Sequence, residues 1–150
     1  MVYTEEIRDL FSMPEDYYLA QCISADFGMG RGIAVEFNKR FNTKNNLMIK
    51  YPDYLSNHND YGKILYGDCL LDGRVLNLVT KIHYWDKPTI YSLIGALSHM
   101  RQTCLLNNIT KVAMPAIGCG LDRLRWDDVY QAIHSVFNDM DIEIVVCKLN

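Results

Sequence analysis

The residues best suited to chemistry lie in three separate stretches. Residues 114–122, Met-Pro-Ala-Ile-Gly-Cys-Gly-Leu-Asp, end an apolar segment with Gly118, Gly120 and the carboxylate of Asp122. Residues 26–34, Asp-Phe-Gly-Met-Gly-Arg-Gly-Ile-Ala, place Gly28, Gly30 and Gly32 at every second position. Glycines so spaced let a backbone approach a ligand and turn its N–H groups toward an anion. They equally fit ordinary tight turns that need glycine for their dihedrals. Lys81 closes a strand-like run, residues 74–80. It is a solvated charge unless other strand ends converge on it.

Two amide-lined loops that face each other suit a diphosphate, and a lysine and a carboxylate beside them suit chemistry on an attached sugar. The residues by themselves thus indicate a phosphate-containing ligand and a Lys81/Asp122 pair. The glycine run is followed by no Gly-Lys-Ser/Thr and lacks Gly-x-Gly-x-x-Gly spacing, so neither a P-loop nor a common dinucleotide motif is supported.

The elements that must position these residues follow from hydrophobic periodicity. Residues 2–7 read as an edge strand, after which Asp9 is a turn residue or a ligand contact. Residues 17–24 are almost wholly apolar, aromatic or β-branched, as in a central strand covered on both faces. Residues 63–66 and 74–80 read as strands, with Asp72-Gly73 as a hairpin signal. Residues 110–114 and 142–149 complete the set. Helical periods run from Val35 to Phe41, from Pro88, expected in a first turn, to Asn107, and over residues 126–137. In the long helix Ile90, Leu93, Ile94, Leu97, Met100, Cys104 and Leu105 form one stripe expected in the core, and His99 is read as structural. Residues 42–62 read as a poorly defined helix and a surface loop. The order implies a three-layer α/β/α sandwich with a mixed, largely parallel sheet, in one domain spanning residues 1–150.

Composition narrows the function classes. The 150 residues are 49% hydrophobic and 22% charged, which suits a globular chain, and the net charge of −3 gives no general attraction to nucleic acid or anionic membranes. Five widely spaced cysteines without Cys-x-x-Cys, and four histidines without His-x-x-x-His, argue against a disulfide scaffold or zinc site. Free thiols suit a reducing compartment. With no signal-peptide pattern and no membrane-spanning run, the expectation is a soluble, cytoplasmic or otherwise intracellular monomer with no metal and no cofactor.

The blocks Cys22-Ile-Ser24, Gly28-Met-Gly-Arg-Gly-Ile-Ala34, Leu78-Val-Thr-Lys81, Lys87-Pro-Thr89 and Met114-Pro-Ala-Ile-Gly-Cys-Gly-Leu-Asp-Arg-Leu124 resemble the macrodomains, specifically the terminal ADP-ribose protein glycohydrolase type. The similarity runs in order from about Val2 to Leu149. It implies that ADP-ribose lies across the strand ends. Asp9 and Leu10 match adenine-contacting positions, and Leu149 matches a residue that packs on the adenine. Ser24, Gly28, Met29, Gly30, Arg31, Gly32, Ile33 and Ala34 match the segment holding the distal ribose and a phosphate. Ile117, Gly118, Cys119, Gly120 and Leu121 match the second phosphate loop, and Thr80 and Pro115 join the ligand-binding set.

The same resemblance implies a reaction. Lys81 is the nucleophile that attacks the anomeric carbon of the distal ribose, giving a lysyl adduct. Asp122 is the general acid/base, and a carboxylate such as a glutamyl side chain is the leaving group. A nucleophilic lysine must be neutral, whereas a neighbouring carboxylate favours the ammonium. Either burial near backbone dipoles offsets this or Asp122 takes the proton as attack begins. Cys119 is read as a small turn residue, since no histidine is positioned to activate it.

Other outcomes stay open in the same pocket. These are deacetylation of O-acetyl-ADP-ribose, removal of phosphate from ADP-ribose 1″-phosphate, release of ADP-ribose from DNA bases, and, in another class, a reader that binds ADP-ribose without turnover. Retention of both Lys81 and Asp122 argues against a pure reader. The partners expected are ADP-ribose and ADP-ribosylated protein. Lys39, Arg40, Lys44 and Lys50 would form a phosphate track for a nucleic-acid substrate, or simply a solvated helix face, the reading that the net charge favours. His83-Tyr84-Trp85-Asp86 and residues 42–62 depart from the family pattern, which leaves substrate choice open.

Overall fold

The computed structural model describes residues 1–57 and 67–149. Its strands are β1 (Val2–Ile7), β2 (Tyr18–Ser24), β3 (Asp68–Asp72), β4 (Val75–Lys81), β5 (Lys111–Met114) and β6 (Glu143–Lys148). The helices are α1 (Ile33–Phe41), α2 (Thr43–Lys50), α3 (Tyr54–Asn57), α4 (Ile90–Asn107) and α5 (Trp126–Phe137), and a 3-10 turn, Leu10–Ser12, follows β1. Among the described residues the sheet order is β1-β6-β5-β2-β4-β3, with every pairing parallel except the β3/β4 hairpin.

Both faces of the sheet are covered, giving the expected α/β/α sandwich. On one face α4 and α5 bury Leu93, Leu97, Met100, Ile133 and Phe137 against Leu76 and Leu78 of β4, Met114 of β5 and Ile144 and Val146 of β6. On the other, Phe37 of α1 packs with Leu19, Val75 and Val145, while Leu47 and Tyr54 of α2 and α3 pack with Ile23 and Val79. The continuous apolar run of residues 17–24 is explained by this two-sided burial.

Several local expectations change. The strand expected at residues 63–66 lies outside the described residues, and β4 instead pairs with Asp68–Asp72 across the turn at Gly73. The helix expected within residues 42–62 is present as α2, followed by the short α3, and together they contribute Leu47 and Tyr54 to the core. α4 begins at Ile90, after an N-cap at Thr89 whose hydroxyl accepts the Ser92 N–H at 3.1 Å while Ser92 Oγ accepts the Thr89 N–H at 3.1 Å. That reciprocal box satisfies two N-terminal donors, so Pro88 sits before the cap and outside the first turn. The buried stripe of α4 is narrower than expected. Leu93, Ala96, Leu97, Met100 and Cys104 face the sheet, whereas Ile94 (38% exposed) and Leu105 (56% exposed) fall on its flanks.

The parallel strands matter most for function. β1, β6, β5, β2 and β4 all run the same way, so residues 8–10, 149, 115–122, 25–34 and 82–88 emerge along one edge of the sheet. In open α/β sheets ligands bind outside that edge.

Candidate active site

A cleft of about 1310 Å³ runs along this edge. It exceeds the 300–1,000 Å³ or so usual for drug-sized ligands, leaving room for a dinucleotide and an attached group. Both glycine segments line it, as do Lys81 and Asp122.

β4 delivers Lys81 as its last residue. Beside it the β2/β4 register slips between Ile23 and Ser24, so that Ser24 pairs with Lys81. Irregularities of this kind re-aim a side chain at the end of a ladder. Lys81 Nζ donates to Asp122 Oδ1 at 2.8 Å, with the two side chains only 15% and 16% exposed. The pair is therefore a largely dry contact between a strand end and the loop after β5. Two neighbouring thiols are poor nucleophiles. Burial, aided by the nearby Asp122 carboxylate, pushes Cys22 up to about 12, and burial raises Cys119 as well.

The first loop is built around a residue that sequence reasoning passed over. Asp26 accepts from Ser24 Oγ at 2.5 Å and Gly28 N at 3.0 Å, and its other oxygen accepts from Tyr84 N at 3.0 Å. An aspartate two residues before a glycine is the signal that was available, because such a side chain commonly closes a turn on its own backbone. Gly32 then takes φ 61 and ψ −150, a conformation essentially reserved for glycine, and opens α1 with no side-chain cap. The uncapped first turn of α1 faces the cleft through Gly32, Ile33 and Ala34, which leaves helix N-terminal amides and the dipole for an anion.

The second loop turns at Gly118, where φ is 73 and a Cβ would meet Leu124 Cδ1 at 2.9 Å. Leu124 N closes it by donating to the Gly118 carbonyl at 2.7 Å. Lys87 adds a brace by donating from Nζ to the Leu121 carbonyl at 2.7 Å, one residue before Asp122.

Most of the expected ligand residues border the cleft: Asp9, Leu10, Ser24, residues 28–34, Pro115, Ile117, Gly118, Gly120, Leu121 and Leu149. Asp9 also accepts from Phe11 N at 3.0 Å, which caps the 3-10 turn. Two do not border it. Thr80, the residue that the β2/β4 register slip skips, is buried away from the cleft, and Cys119 turns back onto the core that includes α4 and α5. The cleft also takes in residues outside the expected ligand set, notably Arg8, Phe11, Cys22, Tyr84, Trp85 and Cys147.

The basic track is interrupted. Arg40 pairs with Glu36 at 2.7 Å and lies over the Phe11 ring, and Lys50 donates to the Leu71 carbonyl at 2.6 Å. Among the described residues no cluster of His, Cys, Asp and Glu could hold a metal ion, and no helix is long and apolar enough to cross a membrane.

Known proteins share this architecture. No protein-family model matches the chain. The human protein ADP-ribose glycohydrolase OARD1 is 41% identical over 142 residues, which cover 94% of this chain and 88% of that protein. The DNA ADP-ribosyl glycohydrolase of Mycobacterium tuberculosis is 30% identical over 131 residues, 79% of this chain but 34% of the larger protein. The solved macrodomain of Thermus aquaticus DarG superposes with a TM-score of 0.76 at 19% identity, covering 97% of each chain, which speaks to the fold alone.

Proposed function

The chain belongs to the macrodomain family, in the group of the ADP-ribose glycohydrolase OARD1, and on that premise we propose that it releases ADP-ribose from modified glutamyl side chains. The observation that carries the reading is the Lys81–Asp122 contact of 2.8 Å, set in the cleft between two glycine loops.

ADP-ribose lies across the strand ends with its adenine at Asp9, Leu10 and Leu149. Its diphosphate lies between the first turn of α1 and residues 117–121, where backbone amides neutralise charge without a metal. The distal ribose then reaches Lys81.

Asp122 Oδ1 already accepts a hydrogen bond from Lys81 Nζ, so it is placed to take the ammonium proton as attack begins. The neutral amine forms a bond to the anomeric carbon, and the bond from that carbon to the glutamyl oxygen breaks. The carboxylate leaves with the electron pair and, as a weak base, needs little protonation. Water then resolves the lysyl adduct, with Asp122 moving the protons, and frees the ribose and the lysine. The low-exposure lysine and carboxylate in contact at this point support turnover over a pure reader.

The test is release of ADP-ribose from a glutamyl-modified protein. Lys81→Ala abolishes turnover while ADP-ribose still binds. Full release by that variant would sink the nucleophile assignment.

A further inference from the structure

Residues 82–88 form a strap beside the reacting pair, with side chains that the reaction above leaves unused. Asp26 N donates to the Ile82 carbonyl at 3.2 Å, Tyr84 N to Asp26 Oδ2 at 3.0 Å, and Lys87 Nζ to the Leu121 carbonyl at 2.7 Å. The strap thus ties the first glycine loop to the second. Tyr84 lies directly on Gly28, where a Cβ would come within 3.0 Å of the tyrosine Cβ.

Trp85 projects from this strap, borders the cleft and is 63% exposed. Its ring is braced on two sides. His83 stacks on it with centroids 4.4 Å apart and planes within 5°, and Tyr84 meets it edge-on at 4.9 Å and 85°. His83 Nδ1 in turn lies 3.2 Å from Asp86 Oδ2. An indole held at a fixed angle but left largely in solvent is the kind of rigid anchor that binding surfaces use.

Strand order says which part of a substrate meets it. β1 and β6 deliver Asp9, Leu10 and Leu149 to one side of the cleft, while β4, next to the opposite edge of the sheet, delivers Lys81 and the strap. A ligand with its nucleotide at the first side and its distal ribose at Lys81 sends its leaving group toward Trp85. We propose that Trp85, braced by His83 and Tyr84, is an acceptor-side subsite for the apolar or planar side chain next to the modified glutamyl residue of an ADP-ribosylated polypeptide. The inference rests on the glutamyl reading above.

Charge favours a polypeptide here. Asp26 borders the strap and Asp86 lies within it, while the strap's own cation, Lys87, is committed to the Leu121 carbonyl. A nucleic-acid backbone would need free cations along its path.

The test compares kcat/KM on two esters of ADP-ribose. One is a glutamyl-modified peptide with tyrosine beside the modified residue, and the other is ADP-ribose acetylated on its anomeric (1″) oxygen, whose acetyl group is the whole acceptor. Trp85→Ala lowers the ratio of peptide to acetyl turnover about tenfold, the size of one stacked aromatic contact, and Trp85→Phe restores most of it. An equal fall on both esters, or none, overturns the inference, as does a fall confined to a base-linked oligonucleotide. An unmodified enzyme that cleaves only the acetyl ester overturns the glutamyl reading and this inference with it. One that cleaves both with a ratio indifferent to Trp85 overturns this inference alone.

Discussion

Asp26 and Tyr84, 58 residues apart, are joined by a 3.0 Å hydrogen bond from the tyrosine N–H to the aspartate Oδ2. The same carboxylate holds Ser24 Oγ and Gly28 N through its other oxygen. One side chain therefore sets the first glycine loop, the end of β2 and the strap after Lys81 in a common frame. Asp26→Ala leaves three donors without their acceptor, and each loss falls on a loop that must hold its shape. The expected cost is about 1–3 kcal/mol of folding stability, read from urea denaturation, together with weaker ADP-ribose binding by calorimetry. Unchanged values of both would show that the loops hold themselves.

That carboxylate also predicts a pH dependence. Burial disfavours its ionised form, but hydrogen bonds from Ser24, Gly28 and Tyr84 outweigh burial and hold its pKa below the ordinary 3.8. A carboxyl that ionises more readily in the folded state stabilises it above the unfolded pKa and loses that contribution as pH falls through the folded value. The stability difference between the natural protein and Asp26→Asn should be flat from about pH 7 to 5 and shrink below pH 4 or so. A difference that grew on acidification would reverse the assigned sign.

Asp122 is expected to act on protons alone, and the pair should separate on that basis. Asp122→Ala slows release by roughly 10²–10⁴-fold, the usual share of a positioned acid/base, and Lys81→Ala abolishes it. Mass spectrometry of Asp122→Ala during turnover should detect a ribosyl adduct on Lys81 if the second step suffers most. Equal residual rates in the two variants would argue that the lysine only holds charge.

Much of this arrangement was legible before any coordinates because it depends on local pattern. The helix over residues 126–137 follows from its apolar period, and the two glycine runs declare strand-to-helix turns. Parallel strand order then places Lys81 and Asp122 on one edge, although 41 residues separate them. What escaped was contact-dependent. β3 is bounded by Asp68 and Asp72, so its sequence lacks a clean strand signature until β4 supplies a partner. The helix expected within residues 42–62 has no clear bounds in the sequence, because α2 begins Thr-Lys-Asn-Asn with almost no amphipathic period and is held by burial of Thr43 and Leu47. Tyr84 and Lys87 acquire roles only through partners far along the chain, which spacing cannot reveal, and Asp26 does so in its bond to Tyr84.

The glycines provide a last separation, between those the fold needs and those that leave room for a ligand. Gly118 has φ 73, and a Cβ there would strike Leu124 at 2.9 Å, whereas a Cβ at Gly30 or Gly120 would meet nothing within 4 Å. Gly30 and Gly120 both line the cleft. Gly118→Ala should therefore cost stability, about 1–2 kcal/mol from the left-handed backbone, with a shift of the Leu124 methyl to make room. Gly30→Ala and Gly120→Ala should leave the thermal midpoint nearly unchanged, since the folded chain has space for each methyl. If bound phosphates approach these backbones closely, the same methyl groups fill the ligand's space and weaken ADP-ribose binding. Calorimetric titration beside thermal melts checks both halves. Full affinity in Gly30→Ala and Gly120→Ala would move the diphosphate away from these loops, and with it the distal ribose from Lys81.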